Sequence, residues 1–119
     1  MAKLKPLRFL PPYIDGEVNP LLLPVRNRSG VYVIRDKATK RVQYVGESHS
    51  GRLLKTLLRH FQFWAGFTAG ATFKRDRVQV AIRTMPPGSA VAAQDNLICR
   101  LNPTQNEIRT RCPLNDDPF

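Results

Sequence analysis

Gly30-Val31-Tyr32-Val33-Ile34-Arg35 and, after a polar connection from Asp36 to Lys40, Arg41-Val42-Gln43-Tyr44-Val45-Gly46 decide the fold. Both runs are β-branched and aromatic, and the connection has hairpin length, so they read as paired strands. A Ser/Gly/His loop from Glu47 to Gly51 follows, and then the period changes. At about 100° per residue, Leu53, Leu54, Leu57, Leu58, Phe61 and Trp64 share one arc, opposite Arg52, Lys55, Thr56, Arg59, His60 and Gln62. This spacing predicts an amphipathic helix from Arg52 to Trp64. Phe63 lands in the polar arc, which leaves two readings: the helix frays before it, or another group covers it. Phe67 to Arg77 reads as a basic, glycine-containing loop. Val78, Val80 and Ile82 alternate with Gln79, Ala81 and Arg83, giving a third strand over 78–84. Pro86-Pro87-Gly88 stops it, Ser89 can cap a helix running to about Leu101, and Asn102-Pro103 ends that helix. The order β-β-α-β-α predicts an α+β domain with a small antiparallel three-stranded sheet and flanking helices.

Outward from this pattern, residues 1–28 hold five of the ten prolines, which argues for an extended N-terminal arm. Phe9-Leu10 and Leu21-Leu22-Leu23 would pack that arm on the domain, which spans 29–106 and leaves 107–119 as a C-terminal tail. The 119 residues are enough for one domain, and 42% apolar content supplies one modest core. Nineteen Lys and Arg against nine Asp and Glu give a net charge of +10, which predicts a polyanionic partner, usually nucleic acid. No apolar run approaches the ~18–20 residues of a membrane span, and prolines interrupt the stretch a signal peptide needs. Two cysteines, Cys99 and Cys112, make neither a disulfide framework nor a metal knuckle, so reduced thiols in a cytoplasmic protein are the expectation, in a nucleoid, phage or mobile-element setting.

Tyr32 and Tyr44 each lie two residues from a strand glycine, in Gly30-Val31-Tyr32 and Tyr44-Val45-Gly46. In a suitable register both rings share one face of the sheet. The two tripeptides, the basic helix after them, and Leu97-Ile98, Pro103 and Asn106 in that order resemble the GIY-YIG nuclease family, with Val where the family name has Ile. The resemblance covers about residues 29–106. It implies a metal-dependent DNA endonuclease that hydrolyses phosphodiester bonds with one Mg²⁺ or Mn²⁺ per site. Tyr32 would be the general base, its phenol brought down from about 10 by a metal and guanidinium groups. Tyr44 would orient water or phosphate, and Gly46 would let the backbone pass close to substrate. The partner would be duplex or branched DNA, with a homodimer or protein partner supplying specificity.

The family places an arginine on the first helix, often with His or Tyr one turn later; here Thr56 stands one turn before His60. Arg52 is the preferred phosphate clamp and Arg59 the alternative, the two being seven residues apart on one polar face. His60 is a candidate for proton transfer, and His49 and Glu47 are supporting candidates. Asn106 corresponds to the asparagine that supports the family's site. Lys55, Arg59, Lys74, Arg75 and Arg77, with Arg109 and Arg111, would contact backbone phosphates, which position rather than specify.

The largest departure from the family is Gln94, where the resemblance implies a metal-binding glutamate three residues before Leu97-Ile98. The helix pattern alone also marks position 94: Val91, Leu97, Ile98 and Leu101 define an apolar face with Gln94 in its middle. A neutral amide is a poor ligand for a hard cation, and Asp95 is turned ~100° away. Three explanations stand: an inactivated form of an enzyme, a natural protein that binds nucleic acid without cutting, or Glu47 supplying the carboxylate instead. The competing class is therefore a non-catalytic nucleic-acid-binding module on the same fold.

Overall fold

The structure, a computed structural model, describes residues 7–61 and 73–101. Expectations for Phe63, Trp64, Asn106, Arg109, Arg111 and Cys112 fall outside them. The central strand β3 (Gly30–Asp36) has Val31, Tyr32, Val33 and Ile34 all buried. A strand without polar alternation needs cover on both faces. It also has a neighbour on each edge: β4 (Val42–Ser48) and β5 (Val78–Thr84) both pair with it antiparallel, in the order β4-β3-β5. The strands expected at 30–35, 41–46 and 78–84 are thus found within two residues of those bounds. Gly30 is required at the start of β3, because a Cβ there would overlap the Arg83 carbonyl oxygen and lie 2.9 Å from Thr84 Cα.

The β3–β4 turn is built on Asp36, whose Oδ2 accepts the N–H groups of Ala38 at 2.9 Å and Thr39 at 2.7 Å. The Thr39 N–H foremost holds the Asp36 carboxyl below its ordinary range. Lys40 closes the turn in the left-handed region, at φ 65°.

Short helices cover the two sheet faces. α1 (Leu53–Leu58) buries Leu53, Leu54 and Leu57 against Tyr32, Ile34 and Val80. α2 (Pro87–Leu101) buries Ala93, Leu97 and Ile98 against Val31, Val33, Val45 and Ala81.

Four expectations about these helices need correction. α1 begins after Arg52, which is its N-cap, and ends at Leu58; a 3-10 turn, Arg59–Phe61, follows. In 3-10 geometry residues three apart eclipse, so His60 falls in line with the buried Leu57 rather than in the polar arc. It is 3% exposed. α2 begins at Pro87, so Ser89 lies in its first turn and is not its cap; proline suits a first turn because its missing N–H would have no partner there. Val91 is 45% exposed, and the small residues Ala90 and Ala93 take its place in the buried face.

The segment before β3 is not simply extended. Tyr13–Ile14 (β1) and Glu17–Val18 (β2) form a two-stranded ladder, and Pro20–Val25 is a 3-10 helix. Asn19, 1% exposed, ties it together: its Oδ1 accepts Leu21 N–H at 3.0 Å and its Nδ2 donates to the Pro11 carbonyl at 2.9 Å. Leu10 bridges to Val80 on β5 by two main-chain bonds of 2.7 and 2.8 Å, and Leu22 enters the α1-side core. Cys99 is disulfide-bonded, a departure from the reduced thiol expected. No helix among the described residues is long and apolar enough to cross a membrane.

Candidate functional site

Pairing sets Tyr32 opposite Gly46 and Ile34 opposite Tyr44. Directly opposed residues share a face, so both tyrosines lie on the α1 side. Their rings are stacked, with centroids 6.2 Å apart and planes 27° apart. Gly46 has a role different from the substrate approach expected of it. The space a Cβ would take is filled by Tyr32 itself: a methyl there would overlap Tyr32 Cζ and Oη and lie 2.7 Å from Cε2.

The 3-10 turn after α1 delivers His60 to this pair. His60 Nε2 is 2.6 Å from Tyr32 Oη, and its ring centroid is 4.6 Å from that of Tyr44. Phe73, with which the described residues resume after Phe61, completes the cluster. It stands 6.4 Å from Tyr44 and 5.9 Å from His60, ring to ring, and its N–H donates to the His60 carbonyl at 2.8 Å. Sequence reasoning left Phe73 in a basic loop, and no local spacing marks it.

Tyr32 is 2% exposed. Burial pushes its phenol strongly upward from 10, and Tyr44 and Glu47 push the same way; only Arg59 pulls it down. Arg59 supplies a lowering of the kind expected from guanidinium groups, and burial outweighs it. Desolvation disfavours the phenolate more than one exposed arginine stabilises it, so Tyr32 holds its proton at neutral pH. Among the described arginines, Arg59 is the one whose charge reaches this phenol. Arg52, the preferred candidate from sequence, sits exposed at the N-cap of α1, with its N–H on Ser48 Oγ at 3.1 Å.

Glu47 pairs opposite Val31, on the α2 side of the sheet. Its carboxylate lies 3.1 Å from His49 Nδ1, so the two loop candidates hold each other. Gln94 projects from α2 toward β4, and its Nε2 donates to the Val45 carbonyl at 3.4 Å, a long bond. Position 94 is thus inward-facing and half-buried, as its place in the helix pattern implied. The sheet therefore stands between Gln94 and the Tyr32–His60 pair. Gln94, a neutral amide, occupies the position where the family resemblance implies a carboxylate; Thr56 stands one turn before His60, which leaves Arg52 and Arg59 as the arginine candidates.

These residues do not fit a divalent metal. Gln94 offers a neutral amide whose NH₂ is used on β4, and Glu47 is taken up by His49. No group of three or more His, Cys, Asp or Glu side chains is gathered for an ion among the described residues.

Lys55, Arg59, Lys74, Arg75 and Arg77 are exposed, as contacts to a phosphate backbone require. Arg75 also lies over the Tyr13 ring, 4.0 Å from its centroid. Sequence reasoning passed over Arg26, an exposed cation beside Arg52 and Lys55. Comparison of the chain with protein-family models, curated proteins and solved structures found no match.

Proposed function

We propose that the chain is a nucleic-acid-binding domain on a scaffold like that of the GIY-YIG nucleases, holding DNA through its exposed cations and lacking at position 94 the carboxylate the family's metal-assisted hydrolysis needs. One observation carries this reading. Thr56 and Gln94 are neutral, while Arg26, Arg52, Lys55, Arg59, Lys74 and Arg77 are exposed and form no ion pair among the described residues. Among the described residues the carboxylate expected at position 94 is replaced by an amide, while the cations that would bind remain. Each cation that meets a phosphate releases counterions, so six such contacts give a log–log salt slope of about −5.

The test is fluorescence anisotropy of a labelled duplex over a salt series, beside a cleavage assay on linear, branched and single-stranded DNA with Mg²⁺ or Mn²⁺. The expected result is steeply salt-dependent binding without cleavage, including by Thr56→Arg/Gln94→Glu. Binding that ignores salt overturns the proposal.

A second reading, a metal-dependent DNA endonuclease, is favoured by the Tyr32–Tyr44–His60 cluster with the Arg59 charge acting on its phenol. In that case His60, bonded to the protonated Tyr32, is the proton-handling group. Cleavage by the unaltered chain would establish this reading, and cleavage only by the double variant would mark the chain as a disabled nuclease.

A further inference from the structure

A cavity of about 400 Å³ opens between the start of α1 and the segment that enters β3. Leu54 and Leu58 form its apolar side; Arg26, Arg52 and Lys55, with Asn27 and Gly51, form the rest. Three of these residues are cationic and none is acidic. The three cations form no ion pair among the described residues, so an anion in the cavity would relieve their mutual repulsion. The walls are tied together rather than loose. Gly51 N–H donates to Ser29 Oγ at 3.1 Å, and Leu53 N–H donates to the Arg28 carbonyl at 3.0 Å. Gly51, at φ +74°, takes a backbone conformation that glycine adopts without strain. None of the lining residues belongs to the Tyr32–His60 cluster.

The size is that of a small-molecule pocket, and the lining combines a cationic part with an apolar part. That combination suits a phosphate attached to a flat or sugar-like body. We propose that this cavity binds a nucleoside monophosphate unit, its phosphate among Arg26, Arg52 and Lys55 and its sugar and base against Leu54 and Leu58. A phosphomonoester carries about −1.5 to −2 charges at neutral pH, against one for a backbone diester, so three cations favour a terminal phosphate over an internal one. Two sources carry this chemistry: a free nucleotide and the phosphorylated end of a strand. The strand end is the source that follows from the nucleic-acid-binding reading, and that part of the inference rests on it.

The experiment measures binding of single-stranded oligonucleotides labelled at the 3′ end and bearing either a 5′-phosphate or a 5′-hydroxyl. AMP and adenosine are titrated separately by calorimetry. The full chain is compared with Arg26→Ala/Lys55→Ala, two exposed positions, after circular dichroism has shown the fold intact. The 5′-phosphate should tighten binding about tenfold, AMP should bind where adenosine does not, and both effects should vanish in the double variant. If AMP binds in this way and no oligonucleotide does, the cavity stands and the nucleic-acid reading falls. If both oligonucleotides bind alike and AMP does not bind, the cavity proposal is overturned while that reading survives. A phosphate preference that persists in the double variant also overturns it, because the phosphate is then read elsewhere.

Discussion

Replacing Gly46 with alanine tests whether the Tyr32–His60 pair is a fixed element of the fold. In a strand, Gly→Ala ordinarily stabilises by about 0.4–1 kcal/mol, by restricting the unfolded chain. Here the added methyl would overlap Tyr32 Cζ and Oη. The ring has little room to retreat, since it is 2% exposed and its Oη is held 2.6 Å from His60 Nε2. Overpacking of this kind costs about 1–3 kcal/mol. If the ring swings away, the buried hydrogen bond is lost as well, at about 1–3 kcal/mol more. Steric overlap therefore outweighs the entropic gain, and a net loss of about 2–4 kcal/mol is expected from these magnitudes. That is a large share of the ~5–15 kcal/mol by which domains of this size are stable. Urea unfolding of wild type, Gly46→Ala, Tyr32→Leu and the double variant forms a mutant cycle. Gly46→Ala should be much less costly once leucine replaces the ring. A stabilising Gly46→Ala, or the same loss in both backgrounds, would refute the claim that Tyr32 occupies the space above Gly46.

Three further predictions concern single groups. Tyr32→Phe removes the Oη partner of buried His60 Nε2 and should lower stability by about 1–3 kcal/mol in urea. Asp36 has a folded pKa below its ordinary value, so its contribution to stability is present above that value and lost as pH falls below it. Asp36→Asn keeps the turn's acceptor and should flatten the acid limb of the urea midpoint between pH 5 and pH 3. Gln94→Glu replaces the donor to the Val45 carbonyl with an acceptor and should lower the melting temperature. Mg²⁺ at millimolar concentration should not restore it, whereas a formed metal site would, by mass action.

Strand alternation made most of the fold legible, because Val31-Tyr32-Val33-Ile34 and the two tyrosine–glycine pairs fix which residues share a face. The sharing of one face by Tyr32 and Tyr44 followed from that period and from hairpin register. A uniform 100° step misplaces His60, because after Leu58 the helix tightens to 3-10 and gains rotation at every residue. Val91 was assigned to the buried face by its hydropathy, yet Ala90 and Ala93 are buried there, since close approach of α2 to the sheet favours small residues. Phe73 and Arg26 reach their neighbours only through tertiary contacts, which no local pattern encodes. Gly46 was recognisable as special, but the reason, a ring folding over it from the neighbouring strand, is a property of the packed sheet.

The sheet itself explains why the sequence motif and the chemistry separate. Tyr32, Tyr44 and His60 lie on its α1 face, while Glu47 and Gln94 belong to the α2 face. β3 is paired on both edges, so groups on the two faces can meet only around an outer strand. Among the described residues β4 is such a strand, and Gln94 already reaches its main chain at Val45. A carboxylate at position 94 would have to act with Tyr44, the half-exposed tyrosine on β4, rather than with buried Tyr32. Under the endonuclease reading, cleavage gained by Thr56→Arg/Gln94→Glu should therefore be abolished by Tyr44→Phe and survive Tyr32→Phe apart from its loss of stability; the reverse pattern would mean that the β4 edge is not where the two faces meet, and no gain at all is the outcome the binding-domain proposal expects.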